Sequence, residues 1–205
     1  MPTSTKRERP IIFSAPMVWA ILEGRKTQAR RPILRLSGKG QITEFGPSDT
    51  PGYEWHFRDS QKRWHDVTLP RLMELCRFGV PGDRLWVRET WRNSIAGGFV
   101  VYRADPGRSE STKALDAIDR KFGSIGFRWR SPIHMPRWAS RITLEIEQVR
   151  VQRVQDVSEA DAAAEGCRAT HSVRHAFATF WDSIHGPGAW ERNDFCWAIA
   201  FRRVA

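Results

Sequence analysis

The chain has 205 residues, enough for one domain or for one domain with a large insertion. Its formal net charge is +10, and 27 of its 33 cationic side chains are arginine. This balance favours a polyanionic partner, because arginine binds phosphate through two N–H groups and stacks on bases. A genome rich in G and C, encoding arginine in place of lysine, would produce the same composition.

Several classes of protein are excluded by the residue types and their spacing. The three cysteines, Cys76, Cys167 and Cys196, form no CxxC pair, so the sequence predicts neither a disulfide framework nor a zinc knuckle. The six histidines form no HxH or HExxH pattern that would hold a metal. No segment approaches the roughly 18 apolar residues of a membrane span. We therefore expect a cytoplasmic protein without membrane association, metal or cofactor, present as a monomer or weak dimer.

The N-terminal part predicts an arm, a strand and a helix. Residues 1–9 are polar and charged and predict a disordered basic arm, and residues 11–13 predict a short strand. A helix is expected over 16–23, because proline is tolerated in the first helical turn and Gly24 can adopt the left-handed conformation that ends a helix. A second strand is expected over 32–36.

Four cations occur within seven residues of the stretch that follows this helix. Arg25, Lys26, Arg30 and Arg31 are carried on a predicted turn that enters the second strand. Such a cluster is either a solvated loop or a site for a negatively charged ligand.

The middle of the chain predicts insertions around one strand. Residues 37–68 are rich in Gly, Pro, Ser and Asp and predict an insertion, with a β-hairpin folded over one face. A helix is expected over 70–78 and a strand over 84–91, in which Leu85, Val87, Glu89 and Trp91 alternate with Trp86, Arg88 and Thr90. On this alternation Glu89 is either a buried carboxylate paired with Lys26 or Arg31, or a residue at the rim of the strand.

The remaining elements complete a fold with many strands. A strand is expected over 99–103, a second insertion over 105–126, and a long strand over 141–154 with a β-bulge at residues 147–148. Two helices are expected over 158–166 and 172–184, with Ser158 and Ser172 as N-caps and an apolar stripe on the second that includes Phe177 and Trp181. A closing strand is expected over 194–204, in which Phe195, Trp197, Ile199 and Phe201 alternate with Cys196, Ala198, Ala200 and Arg202. Many strands without a βαβ rhythm predict an α+β fold, mainly β, in which a barrel carries helices on its flanks.

The basic stretch resembles the GxKxx[E/T]xR signature of ASCH domains, which are small PUA-like barrels associated with RNA and modified nucleosides. Gly24, Lys26 and Arg31 match the signature, and Ala29 takes the Glu/Thr position. The chain also resembles prophage ASCH-like proteins over most of its length, in the segments around Ile11-Ile12-Phe13, Pro81-Gly82-Asp83-Arg84-Leu85-Trp86-Val87 and His134-Met135-Pro136-Arg137-Trp138-Ala139-Ser140. The resemblance implies a PUA-like β-barrel over residues 10–205.

A related family, the bacterial N4-acetylcytidine amidohydrolases, resembles the chain at the signature and near Glu165. Its proposed catalytic set is a lysine, a threonine and a glutamate. The resemblance therefore implies Lys26 and Glu165 as catalytic residues that face a common cavity. Ala29 stands in place of the threonine and lacks a hydroxyl nucleophile, so Lys26 and Glu165 would have to activate water directly.

Three functions follow as hypotheses. The first is binding of RNA or a modified nucleoside in a basic cleft, where cations meet phosphate, carboxylates accept base N–H groups and tryptophans stack. The second is hydrolysis of N4-acylated cytidine, or ribonuclease activity, on the same scaffold. The third is a phage accessory protein that binds another protein. Besides the two catalytic candidates, the predicted binding residues are Arg25, Thr27, Arg30, Arg31, Glu89, Trp19, Trp86, Arg137 and Trp138.

Overall fold

A computed structural model describes residues 6–93, 100–105 and 129–205 of the chain. The strands are β1 (Glu8–Ile12), β2 (Gln28–Pro32), β3 (Arg35–Leu36), β4 (Gly40–Pro47), β5 (Trp55–Asp59), β6 (Trp64–Val67), β7 (Arg84–Arg88), β8 (Trp91–Asn93), β9 (Val100–Tyr102), β10 (Thr143–Arg153) and β11 (Phe195–Arg203). The α-helices are α1 (Ala15–Leu22), α2 (Leu69–Glu74), α3 (Glu159–Ala164) and α4 (Val173–His185). The insertion predicted over 105–126 lies outside the described residues, except for Asp105.

The largest sheet has five strands in the order β1-β7-β10-β11-β2. Strand β1 runs parallel to β7, and the other neighbours are antiparallel. The predicted long strand is confirmed as β10, and its pairing with β11 shifts register between Ile146 and Gln148, where the bulge is expected. The bulge separates the half of β10 that pairs with β7 from the half that leads toward α3.

The two faces of this sheet carry different layers. On one face, Ala29, Trp197, Ile199 and Phe201 belong to the principal apolar core. On the other face, Cys196 packs in a smaller cluster with residues of α3 and α4. Because neighbouring strand residues point to opposite faces, the alternation predicted for the closing strand is confirmed, and the faces of β2 are assigned through its pairing with β11.

The two C-terminal helices begin where the sequence predicts. The side chain of Ser158 accepts a hydrogen bond from the Asp161 N–H, and that of Ser172 accepts one from the His175 N–H. Each serine thereby satisfies an N–H group that would have no partner within its helix. The caps position α3 and α4 side by side over the second face of the sheet.

Residues 35–67 form a four-stranded antiparallel sheet, β3-β4-β5-β6. The hairpin predicted within 37–68 is therefore present as a longer meander. The meander does not fold over the domain as a separate flap, as an insertion would. Its inner side chains Leu36, Ile42, Phe57 and Val67 are part of the principal core. Burying these apolar side chains in one core fixes the meander to the five-stranded sheet.

Several predicted boundaries are wrong. Strand β1 begins at Glu8, so the disordered arm predicted over 1–9 does not extend to residues 8 and 9, which pair with Arg84 and Leu85. The strand predicted over 32–36 is divided, since β2 already starts at residue 28 within the basic stretch. The strand predicted over 84–91 ends at residue 88 and resumes at 91 as β8. In each case pairing with a distant strand decided the boundary.

The fold is α+β with more strand than helix, but its strands do not close into a barrel within the described residues. Strands β1 and β2 are both edges of the five-stranded sheet. A side chain connects these edges, because Arg31 Nη2 donates to the main-chain oxygen of Ile12 at 2.7 Å. No α-helix of the described segments is long and apolar enough to cross a bilayer.

Candidate functional site

The basic stretch leaves α1 through Gly24, whose φ of +75° is the left-handed conformation that the sequence predicts. The N–H groups of Arg25 and Lys26 then donate to the main-chain oxygen of Ala20 at 2.8 and 3.0 Å. The N–H of Thr27 donates to the oxygen of Ala164 at 2.9 Å. These bonds hold the backbone of the stretch between the end of α1 and the end of α3.

Lys26 and Glu165 lie 139 positions apart along the chain and form a buried ion pair. Lys26 Nζ is 2.8 Å from Glu165 Oε2 and donates a second bond to the Glu165 main-chain oxygen at 2.7 Å. The two residues are only 4% and 3% exposed. Burial lowers the pKa of Lys26 although the Glu165 carboxylate raises it, so the fold weakens the preference of this amine for its charged form.

Arg30 extends the pair into a network on the helix-facing side of β2. Its Nη1 lies 3.2 Å from Glu165 Oε1, and its Nη2 lies 3.0 Å from Asp161 Oδ2. Gln28 completes the network by accepting a bond from Arg30 and donating to Asp161 Oδ1 at 3.2 Å. Arg30 is fully buried, but its Nε has no hydrogen-bond partner. Lys26 and Arg30 are thus neutralised largely by carboxylates of the α3 segment.

A cavity of about 670 Å³ opens beside this network. It is lined by the two edge strands β1 and β2, by residues near β7, and by one side of α4. Its volume falls in the range of small-molecule sites, which is about 300–1,000 Å³. The lining residues are Pro10, Ile11, Ile12, Phe13, Ser14, Met17, Lys26, Arg30, Arg31, Arg77, Phe78, Arg88, Thr90, Pro132, Glu165, Phe177, Phe180, Trp181, Ile184 and His185.

Three arginines of this lining lack a carboxylate partner among the residues that the structure describes. Arg31 donates to the main-chain oxygens of Arg30 and Ile12, and Arg88 donates to that of Ile133 at 3.3 Å. Arg77 makes no side-chain hydrogen bond within that part of the chain. Among the described residues of the lining, Glu165 is the single carboxylate, and Lys26 and Arg30 already bind it. The cavity therefore carries an excess of positive charge.

The pKa values of two lining groups respond to burial and to the charges around them. Burial lowers the pKa of Arg31 most; the Glu165 carboxylate raises it and the nearby charge of Arg77 lowers it. Burial also lowers the pKa of His185, and the charges of Arg31 and Arg192 add to the effect against the opposing charge of Asp194. Among the charges that act on His185 the like charges have the larger effect, and like charges close together disfavour the charged form. The part of the cavity beside His185 is therefore electrostatically suited to an anion.

Two of the predicted binding residues of the basic stretch do not line the cavity. Arg25 forms an ion pair with Glu23 and donates to the Gly166 oxygen at 3.2 Å, and the side chain of Thr27 is exposed. Ala29 also points away, because it is fully buried in the principal core beneath β2. A threonine at this position would place its hydroxyl in apolar surroundings rather than beside Lys26.

The structure does not bring the predicted tryptophans to the cavity. Trp86 is buried beneath Arg88, whose guanidinium carbon lies 4.5 Å from the ring centre. Trp138 is 71% exposed and packs edge-on against Trp91. Trp19 is half-buried on α1. These residues, like Arg137, which pairs with Glu8, lie outside the lining.

Glu89 is buried, as one of the two sequence alternatives has it, but its predicted partners are wrong. Arg141 binds its carboxylate through two bonds of 2.9 and 3.0 Å, in place of Lys26 or Arg31. The guanidinium carbon of Arg141 also lies 4.0 Å from the ring centre of Tyr102. The chain diverges from the ideal strand after residue 88, and this break directs Glu89 to a different partner.

Sequence reasoning missed most of the cavity wall. Phe177 and Trp181 belong to the apolar stripe predicted on α4, and they contribute both to the smaller apolar cluster and to the cavity wall. Arg88 could have been found, because the alternation predicted over 84–91 puts it on one face with Thr90, and both line the cavity. Arg77 follows α2 in a loop and carried no sequence signal.

No family model matches the chain, and no curated protein or solved structure matches it either. The ASCH resemblance therefore stands on the signature residues and segments quoted for it.

Proposed function

We propose that this protein is an ASCH-like domain that binds RNA or a modified nucleoside in the cavity beside Lys26 and Glu165. The observation that carries the proposal is the meeting of these two distant residues at the wall of one cavity. Perturbed ionisable groups in a well-formed pocket are the usual mark of a binding or active site.

The lining suits a nucleobase at one end. An ionised carboxylate has about four positions at which it can accept hydrogen bonds. Only two side chains, those of Lys26 and Arg30, donate to the Glu165 carboxylate within the described residues, which leaves positions for a base N–H. Phe13, Phe177 and the other aromatic residues of the wall offer apolar surface for a planar ring. In this proposal Glu165 reads the base edge, and Lys26 and Arg30 hold the carboxylate in place.

The PUA-like architecture is part of the same proposal. An open curved sheet whose edge strands β1 and β2 are connected by Arg31 would correspond to a barrel with a gap between these strands. The cavity is lined by both of these edge strands. A barrel that stays open on one side would leave room for a ligand at the gap.

Equilibrium binding of a short single-stranded RNA, cytidine and N4-acetylcytidine tests the proposal. We expect the RNA to bind, and its affinity to fall steeply between about 50 and 200 mM salt as counterions compete for the cavity. Arg31→Ala should weaken binding about tenfold. Arg35→Ala is the matched control, because Arg35 is exposed on β3 and does not line the cavity. Absence of binding by all three probes would contradict the proposal.

A second candidate is hydrolysis of N4-acylated cytidine, which the lowered pKa of Lys26 favours. A buried amine that loses its proton more readily can act as a general base. Water would give a proton to Lys26 and attack the acyl carbon; the C–N bond would break, and the amide nitrogen would recover the proton. Incubation with N4-acetylcytidine followed by chromatography tests this. No cytidine and acetate from the wild-type protein would exclude it, and Ala29→Thr should not increase the rate.

A further inference from the structure

The positive charges of the cavity are divided between two groups. Lys26 and Arg30 belong to the network of Glu165 and Asp161, where each cation faces a carboxylate. Arg31, Arg77 and Arg88 have no such partner within the described chain. The charge of Glu165 acts on Arg31 without forming an ion pair with it. A cation beside a cavity that no carboxylate binds directly is available to an anionic ligand.

The backbone places two of the unpaired arginines beside one residue of β1. Ile12 pairs with Arg88 in the register of β1 and β7, and its oxygen accepts the bond from Arg31. The charge of Arg77 acts on Arg31. Arg31 and Arg88 thus lie on either side of Ile12, with Arg77 close to the first.

Three buried N–H donors of residues that line the cavity have no hydrogen-bond partner in the described part of the chain. The Nε of Arg88 is buried without a hydrogen-bond partner, and the Nε of Arg30 is in the same condition. Trp181, which is 3% exposed, also lines the cavity, and its indole Nε1 has no partner. Buried polar groups are almost always hydrogen-bonded, but such donors also occur on residues that do not line the cavity, namely Arg84, Trp91 and Trp197. It is therefore the charged groups of the lining that indicate the subsite.

We propose that Arg31, Arg77 and Arg88 form a subsite for the phosphomonoester group of a nucleotide-sized ligand, either a free nucleoside monophosphate or the phosphorylated end of an RNA chain. Guanidinium groups bind phosphate oxygens through paired, charge-assisted bonds. The assignment rests on the proposed function, because it presumes that the apolar end of the cavity holds a base.

Charge balance favours a monoester over a phosphodiester. A phosphomonoester carries a charge of about −1.5 to −2 at neutral pH, whereas a diester within a chain carries only one negative charge. Three unpaired arginines are better neutralised by the former. A cavity of about 670 Å³ also has room for a ligand of nucleotide size.

Calorimetric titration with cytidine, cytidine 5′-monophosphate, ribose 5-phosphate and inorganic phosphate at one ionic strength tests the subsite. We expect the monophosphate to bind at least about tenfold more tightly than cytidine. Arg77→Ala should remove most of that difference, and it should leave the melting temperature unchanged because Arg77 is exposed. Arg88→Lys keeps the positive charge but removes the paired N–H donors of the guanidinium, so this variant should lose part of the difference in affinity between the monophosphate and cytidine. Arg35→Ala should keep the whole difference.

The outcomes separate this subsite from the proposed function. Equal binding of cytidine and its monophosphate would overturn the subsite and leave nucleoside binding intact. Binding of ribose 5-phosphate as tight as that of the nucleotide, lost in Arg77→Ala, would support the subsite and count against base recognition. No binding of any probe would overturn both. A short RNA with a 5′-phosphate, a 3′-phosphate or neither then distinguishes a chain end from a free nucleotide as the source.

Discussion

Glu165 and Glu89 are two buried carboxylates that the fold treats in different ways. Glu165 is shared by Lys26 and Arg30 and lines the cavity. Glu89 is bound by Arg141, lies beneath Met135, whose sulfur is 3.4 Å from the Glu89 N–H, and does not line the cavity. Both are almost fully buried, so burial and an ion pair are not what distinguishes the candidate site.

The difference lies in what surrounds each pair. The partner of Glu89, Arg141, is also bound by Asp105, so two carboxylates share one guanidinium among the described residues of this cluster. Around Glu165 the balance is reversed, because cations exceed carboxylates at the cavity wall. The first arrangement ties strand segments together, whereas the second leaves charge for a ligand. A buried carboxylate therefore indicates a binding site only when an accessible cavity and unpaired counter-charges accompany it.

The largest expected effect comes from removing the shared carboxylate. Glu165→Ala leaves Lys26 and Arg30 buried beside each other without their common partner, and we expect a loss of about 3–5 kcal/mol in the free energy of unfolding. Urea denaturation followed by tryptophan fluorescence measures it. Glu145→Ala is the control, because Glu145 also pairs with two cations, Lys6 and Arg202, but toward solvent. An equal loss in both variants would refute the role of burial.

The same truncation at Glu89 should cost less. Arg141 is about a quarter exposed and keeps its ion pair with Asp105. We therefore expect Glu89→Ala to reduce the free energy of unfolding by about 1–3 kcal/mol. The variant should bind RNA and cytidine monophosphate as the wild type does, since Glu89 does not line the cavity. Weakened ligand binding in a folded Glu89→Ala protein would erase the distinction between the two carboxylates.

A third substitution, at Gly166, disturbs the backbone beside Glu165 without changing any charge. Gly166 has a φ of +90°, and a Cβ there would lie 3.0 Å from the Cβ of Ala20 and 3.3 Å from that of Lys26. We expect Gly166→Ala to destabilise the fold by about 1–3 kcal/mol, because the left-handed backbone is strained with a side chain. Thermal melting measures the loss. Gly24→Ala is the matched control, with the same backbone strain but nothing within 4 Å, and it should cost less.

The smallest effect is a difference in pH dependence. Burial raises the pKa of Asp161, but bonds from Gln28 and the charges of Arg30 and Arg150 outweigh it and lower the pKa below the ordinary 3.8. The stability that Asp161 contributes is therefore present above that value and lost as pH falls through its lowered pKa. Asp161→Asn should flatten the acid side of the stability profile.

Glu89 should show the opposite slope. Burial raises its pKa above the ordinary 4.5, although the bonds and charge of Arg141 lower it. The folded state then binds a proton that the unfolded state has released, so stability is greatest below 4.5 and declines as pH rises through the raised pKa. Urea midpoints of wild type, Asp161→Asn and Glu89→Gln across this range measure both slopes. A Glu89→Gln profile that still declines in this window would contradict the assignment.

Local patterns predicted the elements whose signals are themselves local. Ser158 and Ser172 predict the starts of two helices, because a serine hydroxyl caps only the helical turn that follows it. Gly24 predicts the end of a helix, because few residues other than glycine adopt its left-handed backbone conformation. The alternation predicted for β11 is confirmed, because each face of this strand packs against its own apolar layer. The predictions that failed, at Glu8 and at Glu89, depended on which distant segment lies alongside.

The sequence alone determined the strand-rich α+β character, the caps and the basic stretch with Lys26 in it. Only the tertiary structure decided which cations remain unpaired. Lys26 and Arg30 are matched by carboxylates more than 130 positions away, whereas Arg31, Arg77 and Arg88 come from three separate segments and meet no carboxylate within the described chain. Charge neutralisation depends on distances of a few ångströms through space, and nothing in the order of residues along the chain records those distances.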